Sequence, residues 1–233
     1  MQHIAVIDDD PEVIDLLTKW LNDIISDCKV HPFTELEKAL DGIATTDFDL
    51  VVSDVDMGSG SDKFGGVKIA KALDTRRTPL LVISGFSVQE GVFQALDAWD
   101  YLQKPIDEPD FKTEVKRALT YRKGLTGATE QVSDGSFPLV PELKINRRSR
   151  QAVQWKGERL HLPMSKIDIV EALAQRAGMP VKYKELFEFI ASGKNIGNLR
   201  VRMSEIRDEF RTVEKDFDRI QAVPMNGYLW RTD

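Results

Sequence analysis

Apolar runs that each end in a charged or hydroxyl side chain govern this sequence. Ile4-Ala5-Val6-Ile7 runs into Asp8-Asp9-Asp10, and Leu50-Val51-Val52 into Ser53-Asp54. Leu80-Leu81-Val82-Ile83 ends in Ser84-Gly85, and Tyr101-Leu102 is soon followed by Lys104-Pro105. A short continuous apolar run is the pattern of a strand covered on both faces, as in a parallel sheet. Between the runs the apolar spacing turns helical. Val13, Ile14, Leu17, Trp20, Leu21, Ile24 and Ile25 follow Asp10-Pro11, an N-cap acceptor with proline at the first helical position. A strand at residues 29–33 leads to a helix over 34–45, with Thr34 as its cap and Glu37 completing a capping box. Helices are also predicted at 67–74, 88–98 and 110–122. Five strands alternating with five helices predict an α/β fold, a doubly wound five-stranded parallel sheet.

In such a sheet ligands bind beyond the carboxyl ends of the strands. Asp8, Asp9, Asp54, Ser84 and Lys104 are therefore expected to converge. Carboxylates a few ångströms apart repel by about 4 kcal/mol per close pair at an effective dielectric near 20. A divalent cation lets all of them stay ionised, and an all-oxygen set suits Mg²⁺, which bridges readily to a phosphate. One of the carboxylates is then a nucleophile toward phosphorus, with lysine and serine to stabilise the transferred group's oxygens. Taken singly, an Asp-Asp pair can be a helix cap and a Lys-Pro a turn; the joint occurrence at successive strand ends favours the chemical reading.

The 233 residues leave room for two domains, and the charge divides between the halves. Residues 1–123 hold 14 Lys/Arg against 23 Asp/Glu, and residues 124–233 hold 18 against 15. A mildly basic module behind an acidic one is a hint of nucleic-acid binding. The one cysteine, Cys28, leaves no disulfide framework and fits a reducing cytosol. No stretch approaches the ~20 apolar residues of a membrane span, and the chain opens into a strand without a signal-peptide pattern. A cytoplasmic protein with no membrane partner is expected. Residues 123–137, rich in Gly, Ser and Thr, read as a flexible linker between domains at 1–122 and 138–233. Beyond it come short strands at 139–145, 151–155 and 159–162. A helix follows, opened by a Ser165–Asp168 capping box, then helices at 182–190 and 198–210, and a hairpin of strands 220–223 and 228–230. Leu199, Met203, Ile206 and Phe210 share one face of the third helix, with Arg200, Arg202 and Arg207 largely off it and Arg211 just beyond.

Residues 1–122 resemble the receiver domain of two-component response regulators. The acid pair is Asp8 and Asp9, the phosphoacceptor Asp54, the switch hydroxyl Ser84, the lysine Lys104 and the switch aromatic Tyr101. The resemblance implies Mg²⁺ held by Asp9, Asp54 and the backbone carbonyl of Asp56, with Asp8 acting through water. It also implies phosphorylation by a sensor histidine kinase, and a homodimer formed through charge pairs on the receiver's last strand and last two helices. Asp100, Arg117 and Arg122 match those positions. The sequence departs from the family in three places. The loop after Asp54 is longer, glycine-rich and lacks a proline. The Ser84-to-Lys104 interval is short, and Trp99 replaces an aspartate.

Residues 138–230 resemble the winged helix–turn–helix output domain of OmpR/PhoB-type regulators. Gly157, Leu162-Pro163-Met164-Ser165 and Gly227-Tyr228 carry the likeness, together with the segments at 181–186 and 201–210. The third helix is then expected in the major groove of double-stranded DNA. Lys194 and some of the arginines would contact phosphates, Arg200, Ser204 and Glu205 are the candidate base readers, and Arg202, Arg207 and Arg211 are further DNA-binding candidates. Lys166 stands where an acid is usual. Glu205 and Asp208-Glu209 replace basic residues, and Pro224-Met225 replace the wing's Arg-Gly. A DNA-binding transcriptional regulator switched at Asp54, not an enzyme beyond its own phosphorylation and dephosphorylation, is the expectation. The alternatives are a phosphorylation-independent regulator, a receiver with a protein-binding output, or a metal-dependent phosphotransferase.

Overall fold

The apolar runs of the first half pair in parallel, as their lack of alternation requires. The computed structural model describes residues 1–57, 65–75, 77–85, 98–126, 135–146, 153–190 and 194–232, which divide into two units, Met1–Ala128 and Thr129–Asp233. In the first unit the strands are β1 (Gln2–Ile7), β2 (Cys28–Phe33), β3 (Leu50–Asp54), β4 (Leu80–Ser84) and β5 (Asp100–Gln103). They form one sheet in the order β2-β1-β3-β4-β5, parallel throughout. The helices described are α1 (Pro11–Ile24), α2 (Leu36–Thr45), α3 (Gly65–Ala72) and α4 (Glu108–Thr126).

Every residue of β3 and β4 is buried, so both faces of the sheet are covered. Ala5, Ile7, Val51, Leu80 and Val82 pack with Ala39 of α2 and with Ile69 and Ala70 of α3. The alternate residues Ile4, Val6, Leu50, Val52, Leu81 and Ile83 point to the opposite face. There α1 buries Ile14, Leu17, Trp20 and Leu21, and Trp20 meets Phe111 of α4 at 5.7 Å between ring centroids. Asp10 caps α1 as expected, accepting from the Glu12 N–H at 2.9 Å. The box proposed for α2 is not formed. The N-cap is Glu35, with no side-chain cap bond. Gly66 lets α3 approach the end of β3: a Cβ there would lie 2.8 Å from Val55 Cα. The glycine-rich loop at 58–64 and almost all of the helix expected at 88–98 lie outside the described residues.

The last helix runs past residue 122 to Thr126, and Arg122 explains its hold on the sheet. The side chain is buried, donating to the Arg77 carbonyl at 3.0 Å and to both oxygens of Asp47 at 3.0 and 3.1 Å.

The second unit begins earlier than the sequence implied. β6 (Gly135–Ser136), within the stretch read as linker, pairs with β7 (Leu143–Ile145), then β8 (Val153–Trp155) and β9 (Glu158–Leu160) in an antiparallel sheet. β8 and β9 turn through Lys156 and Gly157, both at positive φ (52° and 90°), as a two-residue hairpin demands. Helix α5 (Met164–Gln175) starts one residue before Ser165, after an N-cap Pro163 that offers no side-chain acceptor. The predicted Ser165–Asp168 box is therefore absent, and Ser165 lies buried in the first turn. The predicted helix at 182–190 is a short strand β10 (Val181–Lys182), a single turn α6 (Tyr183–Leu186) and a 3-10 turn (Phe187–Phe189). Then follow α7 (Ile196–Val213) and the hairpin β11 (Ile220–Val223) and β12 (Gly227–Trp230), with β12 between β11 and β10. A Cβ on Gly227 would strike the Val181 carbonyl, so only glycine closes this hairpin against β10. The core is aromatic. Phe210 stacks on Phe217 at 4.3 Å, and Trp155 and Trp230 meet both edge-on.

At the β1–β2 edge, His3 Nδ1 and His31 Nε2 lie 3.1 Å apart, and the His31 ring meets Phe48 edge-on. Burial, then the charges of Lys29 and His3, hold the His31 imidazole below its ordinary value. A depressed folded value contributes stability that is present above the unfolded value near 6.5 and is lost as pH falls through the folded one. Unfolding free energy should therefore drop as pH falls from neutral toward 5, and urea titrations should show a smaller drop for His31→Gln.

Candidate functional site

Parallel register brings the strand ends to one edge. Ile7 lies opposite Ser53, Asp54 opposite Ile83, and Ser84 opposite Gln103. Asp8, Asp54 and Lys104, at or one past these paired positions, meet there. Asp8 is 1% exposed and Asp54 5%. Lys104 Nζ reaches both, at 2.9 Å from Asp8 Oδ2 and 2.6 Å from Asp54 Oδ2. The other carboxylate oxygens are held by backbone. The Asp10 N–H donates to Asp8 Oδ1 at 2.9 Å, and the Asp56 N–H to Asp54 Oδ1 at 3.0 Å. Lys104 is itself aligned by a bond from its own N–H to the Ser84 carbonyl, 2.8 Å. The Ser84 side chain is buried, and Tyr101 is half-buried beside the core.

Burial pushes the Asp8 carboxyl up, against the lowering effect of the Asp10 N–H and of Lys104. Burial also opposes charge on Lys104, but its bonds to Asp54 and Asp8 outweigh it and raise the ammonium. One ammonium thus serves two buried carboxylates with a third, Asp9, exposed beside them. Side-chain oxygens of Asp8, Asp9 and Asp54 all lie within 4.8 Å of one another. Opposite ligands of an octahedral Mg²⁺ at about 2.1 Å stand roughly 4.2 Å apart. The spread and the all-oxygen chemistry of this set fit the ion. Asp56 is half-buried; its contribution here is the N–H on Asp54.

The residues matched to a dimer face are arranged differently. Asp100 is buried and accepts from the Tyr101 N–H at 2.8 Å. Arg117 pairs with buried Glu114 at 2.8 Å. Arg122 is turned inward to Asp47 and does not present its guanidinium outward, a correction to its assignment. Trp99 packs inside the unit against Tyr121, 4.6 Å between centroids.

In the second unit α7 is capped by Asn195, whose side chain accepts from the Asn198 N–H. It buries Leu199, Met203, Ile206 and Phe210, as their spacing required. Lys194, Arg200, Ser204 and Arg211 are exposed. Arg207 is half-buried: its Nε donates to the Ile220 carbonyl at 2.8 Å and its guanidinium lies over Tyr228. Arg202 bonds the Ser165 hydroxyl at 3.3 Å. Both tie the helix to its own unit. Glu205 pairs with Lys166 of α5 at 3.1 Å. The two departures noted in the sequence, a lysine for an acid and an acid for a base, are one ion pair with its polarity exchanged.

Asp8→Asn removes the least favourable of the buried charges. Without metal it should raise stability by about 1 kcal/mol, the usual gain when a functionally strained charge is relieved, measured by urea unfolding at pH 7. Lys166→Glu should cost up to about 1 kcal/mol by setting two carboxylates face to face, and Lys166→Glu with Glu205→Lys should recover it.

Residues 4–116 match the response regulator receiver domain family. Over the whole chain there is similarity to the regulatory protein VanRc of Enterococcus gallinarum, 27% identical with 98% of each chain covered. The DNA-binding dual master transcriptional regulator RpaA of Synechocystis is 24% identical, covering 98% of this chain and 94% of its own. Among solved structures, a point mutant of RitR matches over 100% of both chains with a TM-score of 0.60 at 16% identity, a likeness of fold. Parallel sheet, acid crevice and lysine at the strand ends make residues 4–116 a response regulator receiver domain, in a chain similar over its whole length to regulatory proteins that include a DNA-binding transcriptional regulator.

Proposed function

We propose that this chain is a DNA-binding transcriptional regulator switched by phosphorylation of Asp54, with a sensor histidine kinase as phosphodonor. The observation that carries the reading is Lys104 bridging buried Asp8 and Asp54 at adjacent strand ends. Asp54 is positioned as the nucleophile. One oxygen is fixed by the Asp56 N–H and the other by Lys104, so the carboxylate has little freedom to lose on reaction. Its oxygen forms a bond to phosphorus as the bond to the donor histidine nitrogen breaks, giving an acyl phosphate. Lys104 is in place to neutralise a phosphoryl oxygen, and the Ser84 hydroxyl to donate to another. Asp8, Asp9, Asp54 and the Asp56 carbonyl would hold Mg²⁺, which when bound offsets the negative charge that the acids and the phosphoryl group share. The site's chemistry is the phosphorylation and dephosphorylation of its own aspartate.

Phosphorylation replaces the carboxylate's single charge with about −1.5 to −2 on the phosphoryl oxygens. Ser84 moves toward them, and Tyr101, half-buried now, turns into the space released. The outcome is a homodimer through the receiver, with Arg117 on the contacting face. α7 of each copy then enters the major groove of one half-site, with Lys194, Arg200 and Arg211 toward the DNA. A cytoplasmic location accords with this partnership, and no helix of the described residues is long and apolar enough to cross a membrane.

Light scattering after gel filtration at low micromolar protein with Mg²⁺ tests the switch. Beryllofluoride, a phosphoryl mimic, should convert monomer to dimer and tighten DNA binding at least tenfold, a shift of roughly 1.4 kcal/mol. Asp54→Ala should respond in neither assay. DNA affinity should fall with salt along a log–log slope of about −0.9 per phosphate contact. Dimer and affinity indifferent to beryllofluoride would leave a constitutive regulator instead, and a flat salt response a protein-binding output.

A further inference from the structure

The outward face of α7 carries Gly197, Val201, Ser204 and Asp208, spaced so that all four lie opposite buried Leu199, Met203, Ile206 and Phe210. Arg200 and Arg211 flank this stripe on one side and Glu205 on the other. Most of the polar groups are already engaged. Glu205 is held by Lys166 at 3.1 Å. Asp208 pairs with Arg211 at 2.7 Å and accepts from the Ser204 hydroxyl at 3.4 Å. Among the described residues, Arg200 has no acid within ion-pair distance, and its guanidinium keeps its donors for a partner. Next to it stands Val201, 56% exposed. A β-branched residue in mid-helix is a poor helix former. Facing away from the core, it gains little by burial within this unit.

We propose that Arg200 and Val201 together read two neighbouring base pairs, a guanine and a thymine, in each operator half-site. The proposal rests on the DNA-binding reading above and names what that helix recognises. In the major groove the guanidinium fork matches O6 and N7 of guanine, and an apolar side chain matches the 5-methyl group of thymine. Successive helix residues point about 100° apart, so the two side chains reach adjacent pairs. The uncompensated cation draws that end of the stripe to DNA, and Lys194, exposed just before the helix, adds a phosphate contact. Ser204 and Glu205, base readers by sequence position, are withdrawn by their bonds to Asp208 and Lys166.

The test uses the full chain with Mg²⁺ and beryllofluoride. Preferred duplexes are selected from a random-sequence pool, and anisotropy titrations follow with thymines replaced by uracil and guanines by 7-deazaguanine, one position at a time. One uracil position per half-site should weaken binding about 4-fold, the worth of one buried methyl. The adjacent 7-deazaguanine should weaken it about tenfold. Val201→Ala should lose only the uracil effect and Arg200→Ala only the 7-deazaguanine effect; both side chains are exposed, so the fold is retained. Tolerance of uracil at every position, or sensitivity that survives in Val201→Ala, overturns the assignment while DNA binding stands. No enriched sequence and no salt-dependent binding would overturn the DNA-binding reading itself, and this assignment with it.

Discussion

The receiver unit depends on one ammonium group placed between two buried carboxylates. Lys104 sits 2.9 Å from Asp8 and 2.6 Å from Asp54. Neither acid would be tolerated in that crevice alone, because desolvation disfavours each charged form. Asp9, exposed at the rim, adds a further negative charge without a cation of its own in the cluster. The site is held by the fold at the edge of what its charges allow, and a divalent cation or a phosphoryl group alters that balance sharply. Such a site exists only if four strands end in register, since a slip of one residue would turn each carboxylate to the other face.

The register is secured elsewhere. Fully buried β3 and β4 leave no room for sliding against two helical layers. Arg122 fastens the far helix to the loop before β3 through Asp47 and to the segment before β4 through the Arg77 carbonyl. A residue matched by position to a partner surface is an internal strut here. Trp99, in place of an acid, packs against Tyr121 in the same region.

The second unit makes a related compromise. Its third helix has fewer free cations than its length of arginines implies, because Arg202 and Arg207 brace the unit, Arg211 is matched by Asp208, and Glu205 answers Lys166. Sequence position alone made each of these a DNA contact. Pairing distances separate the helix-bracing cations from Arg200, which has no acid within ion-pair distance among the described residues.

The sequence by itself determined the alternation of strand and helix, the strand ends that carry acids, and the buried face of the third helix. These follow from local periodicity, which the chain writes residue by residue. It did not determine helix starts where the capping residue turned out to be Glu35 or Pro163, since a nearby Thr or Ser is only one of the ways to satisfy the first turn. Nor did it separate a helix from the short strand and turns at 181–189. Only the tertiary structure decided which charges are free. That Lys166 meets Glu205 and Arg122 meets Asp47 depends on packing between elements 39 and 75 residues apart, a distance over which a periodic pattern carries no information about partners.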